Sequence, residues 1–316
     1  MSQAEMTASR VSAHKKGRHI NQTSFGWNLF FTVVMGIVAI IVILPMVLVV
    51  TVSFSSTASI SNRGYAFIPM EWTLQGYDYL WKLNTQLVNS YIVSIGYAVL
   101  GTALSLIFMG MYAYVLAQNG FPARRFFTWL IFITMLFSGG LVPSYILNTR
   151  YLRIANTFWI FLLPGLANAW SVIILRTFLK TSVPESLVES ARIDGAGHFR
   201  IFGQIVLPLF KAGLATIGLF GFVARWNDWF LALLYNDKPT LTPLQTLLYR
   251  LQGTINFLRD NAAVASTPDG LEVIKNLPTD NLRMACTVVV VLPILFAYPF
   301  FQRYFVRGML VGSIKE

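Results

Sequence analysis

The chain has 316 residues, of which 55% are hydrophobic and only 12% charged, with a mean hydropathy of +0.60; soluble domains carry about 25% charged residues, so this composition describes an integral membrane protein. Lys and Arg number 24 against 13 Asp and Glu, an excess that fits the positive-inside bias of cytoplasmic loops, and nothing arranges it as the basic stripe of a nucleic-acid binder. The single cysteine, Cys286, excludes an internal disulfide and any multi-cysteine metal site.

A helix needs about 20 apolar residues to cross roughly 30 Å of hydrocarbon. The first run of that kind, residues 29–52, follows a basic tail with Arg10, Lys15, Lys16 and Arg18. It is too long for a signal-peptide core and the Ser/Thr stretch after it is a poor cleavage site, so it reads as an uncleaved span. Residues 89–117, 126–149 and 154–175 supply the second, third and fourth spans. Residues 206–234 supply the fifth, although they carry Lys211, Arg225 and Asp228, and residues 284–302 the sixth. With the N-terminus inside, fourteen Lys and Arg fall on the cytoplasmic side and nine outside. This bias orients both termini inward. Trp27, Trp72, Trp81 and Trp129 sit near span ends, where indoles anchor to the interface. An outer segment contains "LTPLQTLLYRLQGTINFL", whose leucines and isoleucine recur at three- and four-residue steps and predict an amphipathic helix.

The expected fold is therefore an all-α membrane protein with six transmembrane helices. Residues 1–28 form a basic cytoplasmic tail, 29–302 the membrane domain, and 303–316 a cytoplasmic C-terminal tail. Several chemistries have no residues to support them. The three histidines, His14, His19 and His198, lie outside the spans and beside no metal-ligand spacing. There is no phosphate-binding G-x-x-x-x-G-K-[ST] loop, so the chain does not bind ATP in that way. Proton-coupled carriers keep ionisable groups in the membrane interior, and Asp228 is the one carboxylate within these spans. A membrane-embedded transferase would place acidic or histidine clusters at a span end, and none is present.

One polar insert, "PESLVESARIDGAGHFRIFGQIVLP", interrupts the apolar pattern on the cytoplasmic side. Ser182 and Glu185 have the spacing of a capping box, and Pro184 is tolerated in a first helical turn. The helix runs to Ile193 with Leu187, Val188 and Ala191 on one face and Glu189 within reach of Arg192. Gly195 stops it by supplying a left-handed residue, and a second helix starts near His198. Such a short, stiff element suits contact with a cytoplasmic partner; a solvated loop is the alternative.

The run "ESARIDGAGHFRIFGQIVLP" resembles the EAA motif of permease subunits of binding-protein-dependent ABC importers. "FSGGLVPSYI", "RWNDWFLALLY", "PLQTLL" and "RYFVRGMLVGSIKE" are similar to segments of their carbohydrate branch, the maltose-type and LplC-like permeases. One departure is Ser190, where the motif usually has Ala. The resemblance implies that residues 182–205 form a coupling-helix loop between spans 4 and 5, with Glu185, Glu189, Ser190, Ala191, Asp194, Gly195 and Ala196 as its ATPase-coupling residues. It further implies a second homologous permease, two ATPase subunits that bind ATP and Mg while this chain holds no cofactor, an extracellular or periplasmic solute-binding protein, and a bacterial cytoplasmic-membrane location. The cargo so implied is a carbohydrate, an oligosaccharide or a uronic-acid-containing glycan.

Arg225 is the costliest residue in the spans, about 2.5–3.5 kcal/mol at mid-bilayer, so it is expected to face a cavity or the bundle interior. Asp228 is close enough to pair with it, Trp226 and Trp229 are spaced to share a face, and Asn227 adds an amide. Indoles beside amides suit the apolar faces and hydroxyl rims of sugars. With Tyr145, Asn148 and Gln245 these residues are the candidate substrate path; packing against a partner permease is the other reading.

Overall fold

The computed structural model describes residues 25–260 and 279–312. The expectations for the basic tail up to residue 24, for residues 261–278 and for the last four residues lie outside them. The chain divides into two units, Met1–Val49 and Val50–Glu316. Helix α1, Phe25–Ser53, supplies the described part of the first. Its Leu, Ile, Val and Phe side chains are exposed from Phe25 to Val47, as expected of a helix that meets lipid or another apolar surface.

The second unit is also helical. Short helices α2 (Thr57–Arg63) and α3 (Gln75–Lys82) precede the long α4, Asn84–Ala117. Then follow α5 (Arg124–Leu136), α6 (Leu141–Tyr151, whose last turn widens to a π-helix), α7 (Trp159–Leu162) and α8 (Ala169–Ser182). The chain continues as α9 (Glu185–Ile193), α10 (His198–Leu209), α11 (Lys211–Trp226), α12 (Phe230–Tyr235), α13 (Leu244–Asp260) and α14 (Thr279–Gly312). Among the described residues the sole β pairing is an isolated bridge between Ser55 and Trp72.

Among the described residues three helices are long and apolar enough to cross a membrane unaided: α1, α4 and, within α14, Asp280–Pro299. The other expected spans are not single rods. The third breaks at residues 137–140 and α5 and α6 meet at 115°. Gly140 takes a left-handed φ of 84° there, which only glycine adopts without cost. The fourth breaks at residues 163–168, around Pro164 and Gly165, and α8 restarts at Asn168, whose side chain accepts from the Ser171 amide at 2.9 Å. The fifth bends by 81° between α10 and α11 and stops at Trp226 rather than running to residue 234. Counting each bent pair as one span gives up to five among the described residues. The last helix continues past the expected end of the sixth span, through Gly312.

Small residues let these helices approach one another. Gly110 lies against the Phe202 ring, where an added Cβ would be 3.5 Å away, and Gly213 of α11 lies under Phe178 of α8, where it would be 3.0 Å away. The C-terminal half of α4 builds one core, in which Met109, Tyr114 and Leu116 meet Val172, Leu175, Ile201, Val206 and Phe210. Its N-terminal half joins another, in which Ala98 meets Leu80, Trp226, Leu244, Leu282 and Ala285. The expected amphipathic helix is α13, and Leu244, Leu248 and Ile255 are its buried face.

Candidate functional site

The polar insert folds as a helix with a fixed end. At the stop of α9, Gly195 has a φ of 79°, its N–H donates to Arg192 O at 2.9 Å and the Ala196 N–H donates to Ala191 O at 2.9 Å. That pair of bonds is a Schellman motif, and it satisfies carbonyls that the helix end leaves open. The start differs from expectation. Ser182 is the last residue of α8, Pro184 is the extended residue before α9, and no side chain caps the helix. The Glu185 carboxylate instead accepts from Asn119 Nδ2 at 2.6 Å, and Asn119 Oδ1 accepts from Arg124 at 2.9 Å. At the other end Arg192 turns away from Glu189 and donates to Gln118 Oε1 at 2.7 Å. Both ends of α9 are thus tied to the turn that follows α4. Sequence reasoning passed over Gln118 and Asn119, because a contact 66 or 74 residues distant leaves no periodic trace.

Burial divides α9 into two faces. Val188 and Ala191 enter the core beside Leu179 and Val183, and Ala196 packs on the same core. Glu185, Glu189, Ser190, Asp194 and Gly195 are exposed. So are two apolar side chains flanking the glycine stop, Ile193 at 87% and Phe199 at 84%, an exposure that water alone does not favour. Ser190 donates to Ser186 O at 2.9 Å, so its hydroxyl is satisfied within the helix and the position stays effectively small.

Arg225 faces the bundle interior, as its cost in hydrocarbon requires. It donates to Gly221 O at 3.2 Å, to Gly165 O at 2.7 Å and to the Ser105 hydroxyl. It so joins α11 to α4 and to the break before α8. Gly101 makes room for the side chain: a Cβ there would stand 2.7 Å from Arg225 Nε. The expected pairing with Asp228 does not form. The Asp228 carboxylate accepts from Tyr97 Oη at 3.0 Å and from the Phe230 and Leu231 amides at 3.1 and 3.0 Å, capping α12.

Trp226 and Trp229 do not share a face, because α11 ends between them. Trp226 is 2% exposed, donates from Nε1 to Val290 O at 3.1 Å and stacks on Phe222. Trp229 stacks on Tyr249 of α13, with centroids 4.1 Å apart and planes 18° from parallel. Gln245 donates to Asn227 Oδ1 at 3.3 Å beside it. Tyr145 lies elsewhere, stacked on Tyr235, to whose hydroxyl Asn148 donates at 3.3 Å. Of the candidate path, then, Asn227, Trp229 and Gln245 are brought together, Arg225, Trp226 and Asp228 are engaged within the fold, and Tyr145 belongs to a separate aromatic pair. Tyr249 was missed; its position four residues after Gln245 on the amphipathic helix was the available signal.

The comparisons agree with this architecture. The family described as binding-protein-dependent transport system inner membrane component matches residues 115–311. The chain is 36% identical over 283 residues to protein LplC of Bacillus subtilis (strain 168), covering 89% of this chain and 92% of that one. It is 32% identical over 300 residues to the polygalacturonan/rhamnogalacturonan transport system permease protein YtcP of the same organism, covering 95% and 99%. A chain in the crystal structure of a bacterial ABC transporter involved in the import of the acidic polysaccharide alginate superposes with a TM-score of 0.74 at 27% identity, covering 90% of this chain and 99% of that chain. The matched region contains α9, its tethers to Gln118 and Asn119, Arg225 and the Trp229–Tyr249 stack, so these features sit in the part of the chain that defines the family. The chain belongs to the inner membrane components of binding-protein-dependent transport systems, and is a transporter permease subunit rather than an enzyme.

Proposed function

We propose that this subunit forms half of the translocation path of an ATP-driven importer for a carbohydrate, with α9 as the element that receives motion from an ATPase. The carbohydrate class follows the names of the relatives, and two of them, YtcP and the alginate transporter, name acidic polysaccharides; a uronic-acid-containing oligosaccharide is the cargo we assign. The observation that carries the coupling reading is the construction of α9: a glycine-fixed stop, tethers at both ends, and an outer face where Glu189, Ser190 and Asp194 lie beside exposed Ile193. A helix held in this way moves as a body when pushed, and can bias the spans between inward- and outward-open arrangements.

In this reading the chain crosses the bacterial cytoplasmic membrane six times, α7 and α8 supplying the fourth crossing around their break, with both termini and α9 in the cytoplasm. Its partners are a second, homologous permease, two ATPase subunits that bind ATP and Mg, and a solute-binding protein that delivers the glycan. Glu185 and Ala191 serve the coupling element from within, one through its tether and one through the core. Co-purification tests the assembly: the tagged chain is expected to bring down a nucleotide-binding subunit, and Gly195→Pro is expected to abolish glycan uptake while the chain remains in the membrane. A chain that captures no nucleotide-binding subunit, or uptake indifferent to Gly195→Pro, overturns the reading.

A further inference from the structure

A cleft of about 250 Å³ opens between α13 and α14, lined by Trp229, Gln245, Tyr249, Gln252, Thr287 and Val290 among others. One wall is the parallel Trp229–Tyr249 pair, whose members remain 37% and 45% exposed. Gln245 and Gln252 stand seven residues apart on α13, two turns, and Tyr249 lies between them on the same face. The Thr287 hydroxyl on the opposite wall donates to Arg283 O at 3.0 Å and keeps its lone pairs for an incoming donor. Arg283 in turn donates to Asn256 at 2.9 Å one turn farther along both helices, which joins the walls beyond the cleft. None of the described residues that line the cleft is charged.

We infer that this cleft is a subsite for a single pyranose ring of the transported glycan. The inference rests on the carbohydrate reading above and adds to it a place and a size. An apolar ring face needs a flat aromatic surface, and Tyr249 backed by Trp229 is a preformed one that loses little side-chain entropy on binding. A hydroxyl rim needs groups that both donate and accept, and two glutamines and a threonine supply them on either side. Drug-sized ligands occupy pockets of about 300–1,000 Å³, so a space of this volume takes one ring rather than a chain of them. Tyr249 is then a specificity-determining residue through its ring, and Gln252 through its amide. Gln245 is held by Asn227 at 3.3 Å, which orients its carbonyl oxygen.

The test uses the complete importer in proteoliposomes with its binding protein, measuring glycan uptake and ATP hydrolysis together for two oligosaccharides that differ in ring substitution. Tyr249→Ala and Gln252→Ala are each expected to slow uptake about tenfold and to change the preference between the two oligosaccharides. The loaded binding protein should still stimulate ATP hydrolysis as in the parent, and Tyr249→Phe should restore uptake. Parental uptake and preference in both alanine variants would overturn the subsite while leaving the carbohydrate reading intact. A parent importer that takes up no glycan overturns the carbohydrate reading itself. If Tyr249→Ala does not assemble, the comparison of Gln252→Ala with Gln252→Glu decides: unchanged preference in both overturns the proposal.

Discussion

Arg225 donates to groups from three segments, Ser105, Gly165 and Gly221, so replacing it removes three links at once, although the Ser105 hydroxyl still donates to Gly165 O at 2.9 Å. Arg225→Met is expected to lower the stability of the assembled complex by about 1.5–3 kcal/mol, the net worth of hydrogen bonding from a charged donor, read as a lower midpoint of thermal unfolding in detergent. Gly101→Ala acts on the same contact from the other side, since its Cβ would stand 2.7 Å from Nε and 2.9 Å from Cδ of Arg225. Gly195 presents the opposite situation. Among the described residues nothing lies within 4 Å of an added Cβ, so Gly195→Ala costs the left-handed backbone, about 1–2 kcal/mol, and is expected to loosen the end of α9 without disturbing the bundle. Circular dichroism should show unchanged helix content while uptake falls. That Arg225 must turn inward was legible from its type and setting. Its partners on other segments were not, because they lie 60 and 120 residues upstream, whereas the nearby Asp228 that looked like a partner is consumed by Tyr97 and the start of α12.

At the level of elements, α9 is attached to α4 through two amides, and the attachment can be tested by charge. Asn119→Asp sets two carboxylates against each other where a 2.6 Å hydrogen bond stood, and is expected to reduce uptake several-fold while ATP hydrolysis continues, a loss of coupling rather than of folding. Adding Glu185→Gln should return most of the uptake, since an amide again faces a carboxylate; a double variant no better than the single would show that this contact does not carry motion. The helix and its glycine stop could be read from residue order because both are local. The supposed capping box failed because α8 extends to Ser182 and takes that residue into its own last turn. The broken spans were partly legible: Gly139–Gly140 and Pro164–Gly165 punctuate the apolar runs, but hydropathy averages over them and reports a continuous rod.

For the whole molecule, the orientation proposed above puts α9 and the segment between α1 and α4 on opposite sides of the membrane, and single cysteines can test it. Cys286 is buried, and its replacement by Ala removes the native thiol at the modest cost of a small core residue. In that background Tyr65→Cys, at a 53% exposed site, should react with an impermeant maleimide in intact cells or spheroplasts. Leu187→Cys, 43% exposed on α9, should react only after permeabilisation. Equal labelling of both in intact cells would refute the orientation.

The grip of Arg225 also bears on biosynthesis. Ser105 and Gly165 precede it in the chain, so both acceptors have already left the ribosome when the arginine emerges. An isolated guanidinium entering hydrocarbon costs about 2.5–3.5 kcal/mol on insertion scales, and chain order allows these two acceptors to be present before it. A permuted gene that moved α11 ahead of α4 would ask the insertion machinery to lodge this charge before either Ser105 or Gly165 had been made.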